Sequence, residues 1–537
     1  MAVAPMLLVV IYLIWVGFEN RQGRLAWNSA VGQVELGGVI VDHKEFIASR
    51  TPKASDSDNY WATPLLQSLW KGSQRADSTF APDDQVSYDR ITSVGVPYRF
   101  PKLDLPEPEF DVTLGKGRDL GYIRDGLAST GFKEAIWQAA AGGSGKRGSD
   151  AAAILAVLEK DRAVWDELAD AVDRPEVFVP VAYSSLTAET FEELNGMFLG
   201  WANPSTELIK ELDLRTVAAV HHGDRKTARD SLAIAFRIPD WKPANLIGYL
   251  VALTHYSILT QGCVWEALNA NSLGDEDLIW LAAQLEEVDA GEILSEGLRG
   301  ELVYVARLRD LMIERPGDAI RSTLSSPSFD VMYSSGSPPA LTFKERAESL
   351  WKDTLAGLAP AGWIDQNLAL SLRLIHRDAI EPLRLGLNTA YQSSDPPELE
   401  RPRIYNYAAR QSFKMQRNMI QRACELQARI DMARLACLIE LHQRKHGDYP
   451  AGLEDLGLNR AEILDVIPRE GAQRSDPFGY KRTKDGRYKL WSIGDDRKDD
   501  GGTVNMKSIE FLTIDRDDPG DWVWGYGIEN ICVETKP

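Results

Sequence analysis

The strongest constraint on this fold is a long amphipathic run that begins near Ile404 and ends before Gly447. Its apolar residues recur every three or four positions, a spacing that places them on one face of an α-helix. The residues of this stripe are Ile420, Ala423, Leu426, Ile430, Ala433, Cys437 and Leu441. Glycine followed shortly by Pro450 is a typical helix stop, so the sequence predicts one long helix that ends at Gly447.

A short β region follows this helix. Side chains alternate between faces before the turn Asp485-Gly486 and again after it, from Tyr488 to Ser492, which predicts a β-hairpin. Residues 492–502 then read SIGDDRKDDGG, a loop rich in aspartate and glycine. We therefore expect the last part of the chain, residues 401–537, to be an α+β domain with a long helix and a small antiparallel sheet.

The N-terminus carries an uncharged apolar run, Ala2–Phe18. A bilayer span needs about 17–25 such residues, so this run is at the short end of the range. Tyr12 and Trp15 stand towards its far end, as in an interfacial aromatic belt. The sequence predicts a single transmembrane helix within residues 1–20, with a cleaved signal peptide and a buried core helix as the alternatives.

Two regions of different character separate this run from the long helix. Residues 21–120 contain Pro and Asp clusters and predict an extended arm, apart from the apolar patch NYWATPLL, Asn59–Leu66, which is expected to dock on a core. Residues 121–400 show helical spacing, after a Gly-rich stretch at 142–150 that predicts a flexible linker. The fold class is therefore mainly α.

The middle region is expected to form an irregular array of helices. The turn Gly223-Asp224 separates two helical segments, and Ala228, Leu232 and Ala235 follow it at a spacing typical of tetratricopeptide-like hairpins. The helical segments show no regular repeat length. Helical arrays of this kind leave a concave surface, so we expect a protein partner to bind there.

Composition excludes some functions and indicates few others. The chain has 60 basic and 79 acidic residues and a formal charge of −19, which argues against nucleic-acid binding. The pair His221-His222 ends a predicted helix, and its two side chains diverge and are expected to face solvent. No catalytic motif is complete, so the residues themselves predict no enzymatic activity.

Residues near the C-terminus resemble the globular head of the major pseudopilins of type II secretion systems. The matching segments are HGDYPAGLEDL, DPFGYKRT, GRYKLWSIGDDRKDDGG and DWVW. The resemblance implies an extracytoplasmic head with a calcium-binding loop. The ligands that it implies are the carbonyls of Leu490 and Ile493 and carboxylates among Asp495, Asp496, Asp499, Asp500 and Asp521.

The resemblance does not extend to the membrane stem. In pseudopilins the apolar helix is continuous with the head, whereas here the apolar run and the long helix are separated by most of the chain. The whole chain is similar to large membrane-anchored proteins of planctomycete and verrucomicrobial type, which combine an anchor, an NYWATPLL-like patch and a P-x-GW-x-x-QN stretch. That similarity implies a layout and no activity.

These observations predict a single-pass inner-membrane protein with its bulk outside the cytoplasm. Arg21 and Arg24 follow the apolar run and by themselves favour the opposite orientation. The expected role is a non-enzymatic scaffold for protein interaction or secretion, carried by the helical region and the pseudopilin-like head. The alternative is an exported hydrolase-type enzyme whose site lies in the helical region.

Overall fold

The computed structural model describes residues 3–52, 56–70, 72–74, 80–82, 117–127, 145–159, 162–179, 183, 186, 202–314, 360–401, 403, 405–472, 475–508, 513–514, 520–526 and 531–533. Helices make up most of this part of the chain, and three strands near the C-terminus form a small antiparallel sheet. The prediction of a mainly α-helical chain with such a sheet is confirmed.

The helices fall into three groups along the chain. The first contains α1 (Val3–Leu36), α2 (His43–Arg50), α3 (Pro64–Trp70), α4 (Leu120–Leu127), α5 (Gly145–Leu158) and α6 (Arg162–Asp170). The second contains α7 (Ala202–His222), α8 (Arg225–Arg237), α9 (Leu246–Ile258), α10 (Trp265–Asn269), α11 (Asp275–Glu286) and α12 (Ala290–Glu314). The third contains α13 (Ala361–Leu374), α14 (Glu381–Arg384), α15 (Leu387–Tyr391) and α16 (Tyr407–His446).

Two π-helical segments interrupt this pattern. Leu259–Val264 joins α9 to α10, and Ile375–Ile380 joins α13 to α14. Such segments are rare and widen a helix locally, which lets a neighbouring side chain enter. Single-turn 3₁₀ helices occur at Asp56–Asp58, Tyr60–Ala62, Pro397–Leu399, Leu453–Leu456 and Arg460–Ile463.

The strands lie mainly at the C-terminal end. They are β1 (Gly72–Gln74), β2 (Phe80–Pro82), β3 (Gly479–Arg482), β4 (Tyr488–Ser492), β5 (Val504–Ser508), β6 (Thr513–Ile514), β7 (Trp522–Trp524) and β8 (Ile531–Val533). The order β3-β4-β7 forms the antiparallel sheet, and β6-β5-β8 forms a second sheet with a parallel β5–β8 pair. The predicted hairpin is confirmed, with Tyr480 opposite Leu490 and Arg482 opposite Tyr488.

The second half of α1 packs into the body of the protein. Its buried residues step by three or four positions, as expected for one face of a helix. These residues are Glu19, Gly23, Trp27, Ala30 and Val34. The extended arm predicted from residue 21 is therefore wrong for residues 21–36, because this stripe gives the helix a face to bury.

α1 runs parallel to α13, which follows it by more than 300 residues in the sequence. A Cβ on Gly23 would lie 2.5 Å from the Cα of Gly362, so only glycine at these positions lets the two backbones meet. Further along, a Cβ on Gly37 would lie 2.3 Å from Nε2 of His376. Both residue numbers increase from the pair 23–362 to the pair 37–376, so the two segments run in the same direction.

The long helix α16 is central and ends where the sequence predicts. Gly447 adopts φ 86°, and its N–H bonds to the carbonyl of Gln443. α16 runs antiparallel to α11, since Arg444 pairs with Asp275 at 3.0 Å and Arg434 with Glu286 at 3.4 Å. The apolar stripe of α16 is buried, and the long-helix prediction is confirmed.

A continuous set of buried apolar side chains runs from Trp27 in α1 to Trp524 in β7. The NYWATPLL patch docks on this core as predicted: Tyr60, Trp61, Leu65 and Leu66 are buried. The indole of Trp61 donates to the carbonyl of Ile238 at 3.2 Å. The predicted linker at 142–150 is wrong for residues 145–150, which begin α5.

Two predictions made from the sequence of the middle region can be compared with the structure in different ways. The helical hairpin around Gly223-Asp224 is confirmed, because Asp224 caps α8 by accepting from the N–H of Thr227. Residues 322–339, which contain SSPS and SSGSPP, carry turn signals that predict a long polar loop, and they lie outside the described residues. The division into domains at residues 20, 120 and 400 stays a prediction.

Within the described part of the chain, no helix has both the length and the apolar character needed to cross a membrane. The structure therefore does not support the transmembrane helix predicted for residues 1–20.

We expect Gly362→Ala to destabilise the protein by about 1–3 kcal/mol, because the added Cβ cannot fit without moving a backbone. It would lie 2.1 Å from the carbonyl oxygen of Glu19. Gly32→Ala is the matched control, since a Cβ at Gly32 meets nothing within 4 Å and alanine favours a helix by about 0.5–1 kcal/mol. Urea unfolding of the full chain in detergent measures both, and a Gly362→Ala protein as stable as the wild type would contradict this packing.

Candidate functional site

The first half of α1 leaves the body of the protein with its apolar side chains uncovered. Between Leu7 and Phe18 the exposed side chains point in most directions around the helix rather than along one stripe. They are Leu7, Val9, Val10, Ile11, Leu13, Ile14, Trp15 and Phe18. Tyr12 and Val16 are half-buried, and the exposed apolar surface around them is of the kind that marks protein or membrane contacts.

Aromatic rings mark the level at which α1 enters the body. Trp15 lies edge-on to Trp363 of α13, with ring centres 5.6 Å apart and an interplanar angle of 77°. Trp363 in turn meets Tyr405 edge-on at 6.2 Å, and Tyr12 lies 6.0 Å from Trp15. Such edge-to-face pairs stabilise each other by about 0.5–1.5 kcal/mol beyond their buried area.

Polar contacts begin one turn further along α1. Glu19 is buried and accepts hydrogen bonds from the amide of Gln366 at 3.1 Å and the hydroxyl of Tyr405 at 3.3 Å. The side-chain oxygen of Asn20 accepts from the N–H of Gly362 at 2.8 Å and so caps the start of α13. The change from exposed apolar to buried polar residues is completed within about one helical turn.

The acidic loop after β4 was the predicted calcium site. Leu490 lies in the middle of β4, with Tyr480 of β3 opposite it on one side and Trp524 of β7 on the other. Its backbone therefore belongs to a central strand of the sheet. Ile493 follows the strand, and its N–H donates to Asp465 at 3.0 Å.

Asp465 organises the end of β4 and was missed in the sequence. It is buried and also accepts from the hydroxyl of Ser492 at 2.9 Å and the N–H of Ile467 at 3.0 Å. Burial raises its pKa to about 6, and these hydrogen bonds act in the opposite direction. No acidic cluster surrounds Asp465 in the sequence, so its role could not be read from a motif.

The predicted carboxylates point to different places. Asp495 faces α16, where it accepts from the side-chain amide of Gln421 at 2.6 Å, and Asp496 accepts from the N–H of Lys498 at 3.0 Å. Asp499 accepts from the indole of Trp491 at 3.0 Å and from Arg469 at 3.1 Å. Asp495 and Asp499 therefore belong to different parts of the loop.

Asp521 is the most buried of the predicted carboxylate ligands. One of its oxygens accepts from the N–H of Gly502 at 2.6 Å, and the other makes no hydrogen bond with a described residue. Burial raises its pKa to about 7, and the charges of Asp499 and Asp500 add to the shift. The backbone carbonyl of Asp500 accepts from the hydroxyl of Thr503 at 2.7 Å.

A buried lysine adds a positive charge to this loop. The ammonium of Lys489 is buried and donates to the carbonyls of Gly501 and Gly502. Burial lowers its pKa, while the charges of Asp521 and Asp499 act against this shift. Lys489 therefore binds loop carbonyls of the type that a calcium ion would use.

These residues do not fit the implied calcium site. The described residues contain no group of three or more His, Cys, Asp or Glu side chains that could hold a metal ion. The ammonium of Lys489 also lies close to Asp521, and its positive charge would repel a calcium ion bound by that carboxylate. Calcium binding stays a prediction from the pseudopilin resemblance.

A second ionic cluster lies at the first π-helical segment. Asp213 of α7 is buried against Gly262, where any Cβ would collide with its carboxylate, and it pairs with Arg118. Glu266 is also buried and lies 3.1 Å from Nε2 of His221. The widened helix therefore makes room for two carboxylates in the core.

His221 differs from its predicted position. The sequence placed it in solvent at the end of α7, but its side chain faces inward and pairs with Glu266. Glu266 also accepts from the backbone N–H of Arg118 at 2.5 Å. Only the fold reveals this cluster, because residues 118, 213, 221 and 266 share no sequence motif.

Comparison of the chain with protein-family models, with curated proteins and with solved structures gives no match. The pseudopilin resemblance is therefore carried by the sequence motifs alone.

We expect neither EDTA nor added Ca²⁺ to shift the midpoint of thermal unfolding, because Lys489 already binds the carbonyls of Gly501 and Gly502. Lys489→Met should lower the free energy of unfolding by about 1–3 kcal/mol, since it leaves buried carbonyls and carboxylates without a cation.

Lys481→Met is the matched control for this prediction. Lys481 lies directly opposite Lys489 in the β3–β4 pair but is exposed. We expect its loss to change stability by less than about 0.5 kcal/mol. A rise in the wild-type midpoint on adding Ca²⁺ would contradict the lysine-filled loop and support the calcium prediction.

Proposed function

We propose that this protein is a membrane-anchored scaffold of the cell envelope, held in the bilayer by the first half of α1. The observation that carries the proposal is the uncovered apolar surface between Leu7 and Phe18. Residues 3–18 of the helix extend about 24 Å, which approaches the roughly 30 Å of bilayer hydrocarbon. A slightly short helix is accommodated by local thinning of the bilayer at modest cost.

The aromatic residues at the junction support this placement. Trp and Tyr favour the boundary between hydrocarbon and water, and Trp15, Trp363 and Tyr405 meet where α1 enters the body. Tyr407 at the start of α16 is exposed close by in the sequence. The starts of α13 and α16 would then face the membrane, while the rest of the body extends away from it.

We further propose that the membrane is the inner membrane and that the body lies on its extracytoplasmic side. The similarity of residues 446–524 to pseudopilin heads supports this orientation. Arg21 and Arg24 are exposed just beyond the apolar half of α1 and favour the opposite orientation. A reporter fused after Pro537 distinguishes the two, because its activity depends on the compartment.

The scaffold role assigns a protein partner to the helical region predicted at residues 121–400. A hydrolase-type enzyme is the second candidate, and the observation that favours it is the pair His221–Glu266 beside Asp213. A His–carboxylate pair can act in acid–base catalysis when substrate reaches it. Asp213 and Glu266 have fully buried side chains, so we prefer the structural role, in which the ion pairs join α7 to Arg118 and to Glu266 of α10.

We expect the double variant Ile11→Lys and Ile14→Lys to release the protein from membranes. Two lysines near the middle of the apolar half cost about 2.5–3.5 kcal/mol each in hydrocarbon. The measurement is the fraction of the full chain that remains with membranes after alkaline carbonate extraction.

Leu36→Lys is the matched control, because Leu36 is 90% exposed at the opposite end of the same helix. This variant should stay with the membrane fraction. Retention of the double-lysine variant, with its body still folded by circular dichroism, would rule out the anchor.

A further inference from the structure

A cleft of about 530 Å³ opens between α2, α12 and the segments 38–40 and 175–179. Its floor is aromatic, with Phe46 and Tyr183 buried, but most of the exposed lining is polar. Phe178 stacks on Tyr183 at 5.3 Å between ring centres. The volume fits the usual range for small-molecule sites, and the polar lining favours a ligand with a charged group.

Two arginines face this cleft from opposite elements. Arg50 ends α2 and Arg299 lies in α12, and both pair with the same carboxylate, Glu296. The Arg299–Glu296 distance is 2.6 Å, and the side chain of Glu296 is 5% exposed. Arg50 also lies over the ring of Phe46 at 5.2 Å. Glu296 therefore fixes two guanidinium groups at the edge of an aromatic floor.

These arginines keep donors for a ligand. A guanidinium carries five N–H donors, and each of the two is bound to Glu296 through one nitrogen. Neither makes a hydrogen bond or ion pair with another described residue. A second carboxylate, Glu292, interacts with both Glu296 and Arg299, so the remaining guanidinium N–H donors, and not a surplus of positive charge, would hold a ligand. The fork geometry of arginine suits a carboxylate.

Charged residues at the rim of the cleft limit the kind of anion that can bind there. Lys242 lines the cleft, but so do two carboxylates, Glu176 and Asp240. These would repel a ligand with several negative charges, such as a polyphosphate. A single carboxylate attached to an apolar group satisfies both the arginines and the aromatic floor.

We propose that this cleft binds a carboxylate borne on an apolar or aromatic group, through Arg50 and Arg299. A peptide C-terminus ending in a large apolar residue and a free aromatic acid share this chemistry. The proposal does not depend on the membrane anchor, because the cleft is built by α2, α12 and the segment before Tyr183.

The probes are N-acetyl-phenylalanine and its uncharged amide, titrated calorimetrically into the full chain in detergent. We expect the acid to bind with a dissociation constant on the order of 0.1–1 mM and the amide about 10-fold or more weakly. A hexapeptide ending in phenylalanine, with a free or an amidated C-terminus, distinguishes the sources. Tighter binding of the free peptide than of N-acetyl-phenylalanine indicates a peptide ligand, and equal binding indicates a small acid.

The variants R50Q and R299Q should each weaken binding of N-acetyl-phenylalanine by about 10-fold. R444Q is the control, because Arg444 pairs with Asp275 on α11 and does not line the cleft. R299K tests the geometry, since it keeps the charge but loses the fork. Equal binding of acid and amide, unchanged binding in R50Q and R299Q, or no saturable heat with either acid would overturn the proposal.

Discussion

The close contact between Gly23 and Gly362 is the interaction on which the rest of the structure depends. It brings the two backbones together without side chains between them, so that α1 and α13 run side by side. This contact places Trp27, Ala30 and Val34 in the core and leaves the preceding half of α1 outside it. One helix thereby connects a part that needs an apolar environment to a part that belongs to the folded body. Because the helix is continuous, the angle of the apolar half relative to the body is set by the packing of α1 on α13.

Buried polar groups in this protein are repeatedly matched by cations from other elements. Lys489 of β4 binds carbonyls of the acidic loop, and Arg118, which precedes α4, pairs with Asp213 of α7. Ion pairs of this kind contribute little net stability, but removing one partner is costly, so they fix which elements meet. The pairing of Arg50 and Arg299 with Glu296 differs, because it leaves donors at an open cleft. The Arg118–Asp213 pair is enclosed in the core, whereas the Arg50–Glu296–Arg299 group lies at a cleft that a ligand can enter.

Hydrophobic periodicity and turn residues predicted the helices and strands whose formation depends on neighbouring residues in the sequence. The stripe of α16, its stop at Gly447 and the hairpin around Gly486 all follow from spacing and turn chemistry, and the structure contains them. The sequence was less informative where distant parts meet. The parallel packing of α1 on α13 and the inward turn of His221 depend on contacts between residues far apart in the chain. The role of Lys489 depends on how the acidic loop folds back onto β4. The acidic loop shows the risk of reading a motif alone, since aspartates that are adjacent in sequence face different neighbours once the chain folds.

The most direct test of the central claim is an accessibility scan of α1 in lipid bilayers, with single spin-labelled cysteines from residue 7 to residue 34. Our account predicts high oxygen accessibility from 7 to 18, except at the half-buried positions 12 and 16. From residue 19 onwards it predicts a period of about 3.6 residues, with the lowest accessibility at 27, 30 and 34; Gly23 stays unlabelled, because a side chain there would break its contact with Gly362. Low accessibility at the exposed positions 9, 10, 13 and 14 would show that a protein surface covers this half, and it would contradict the account.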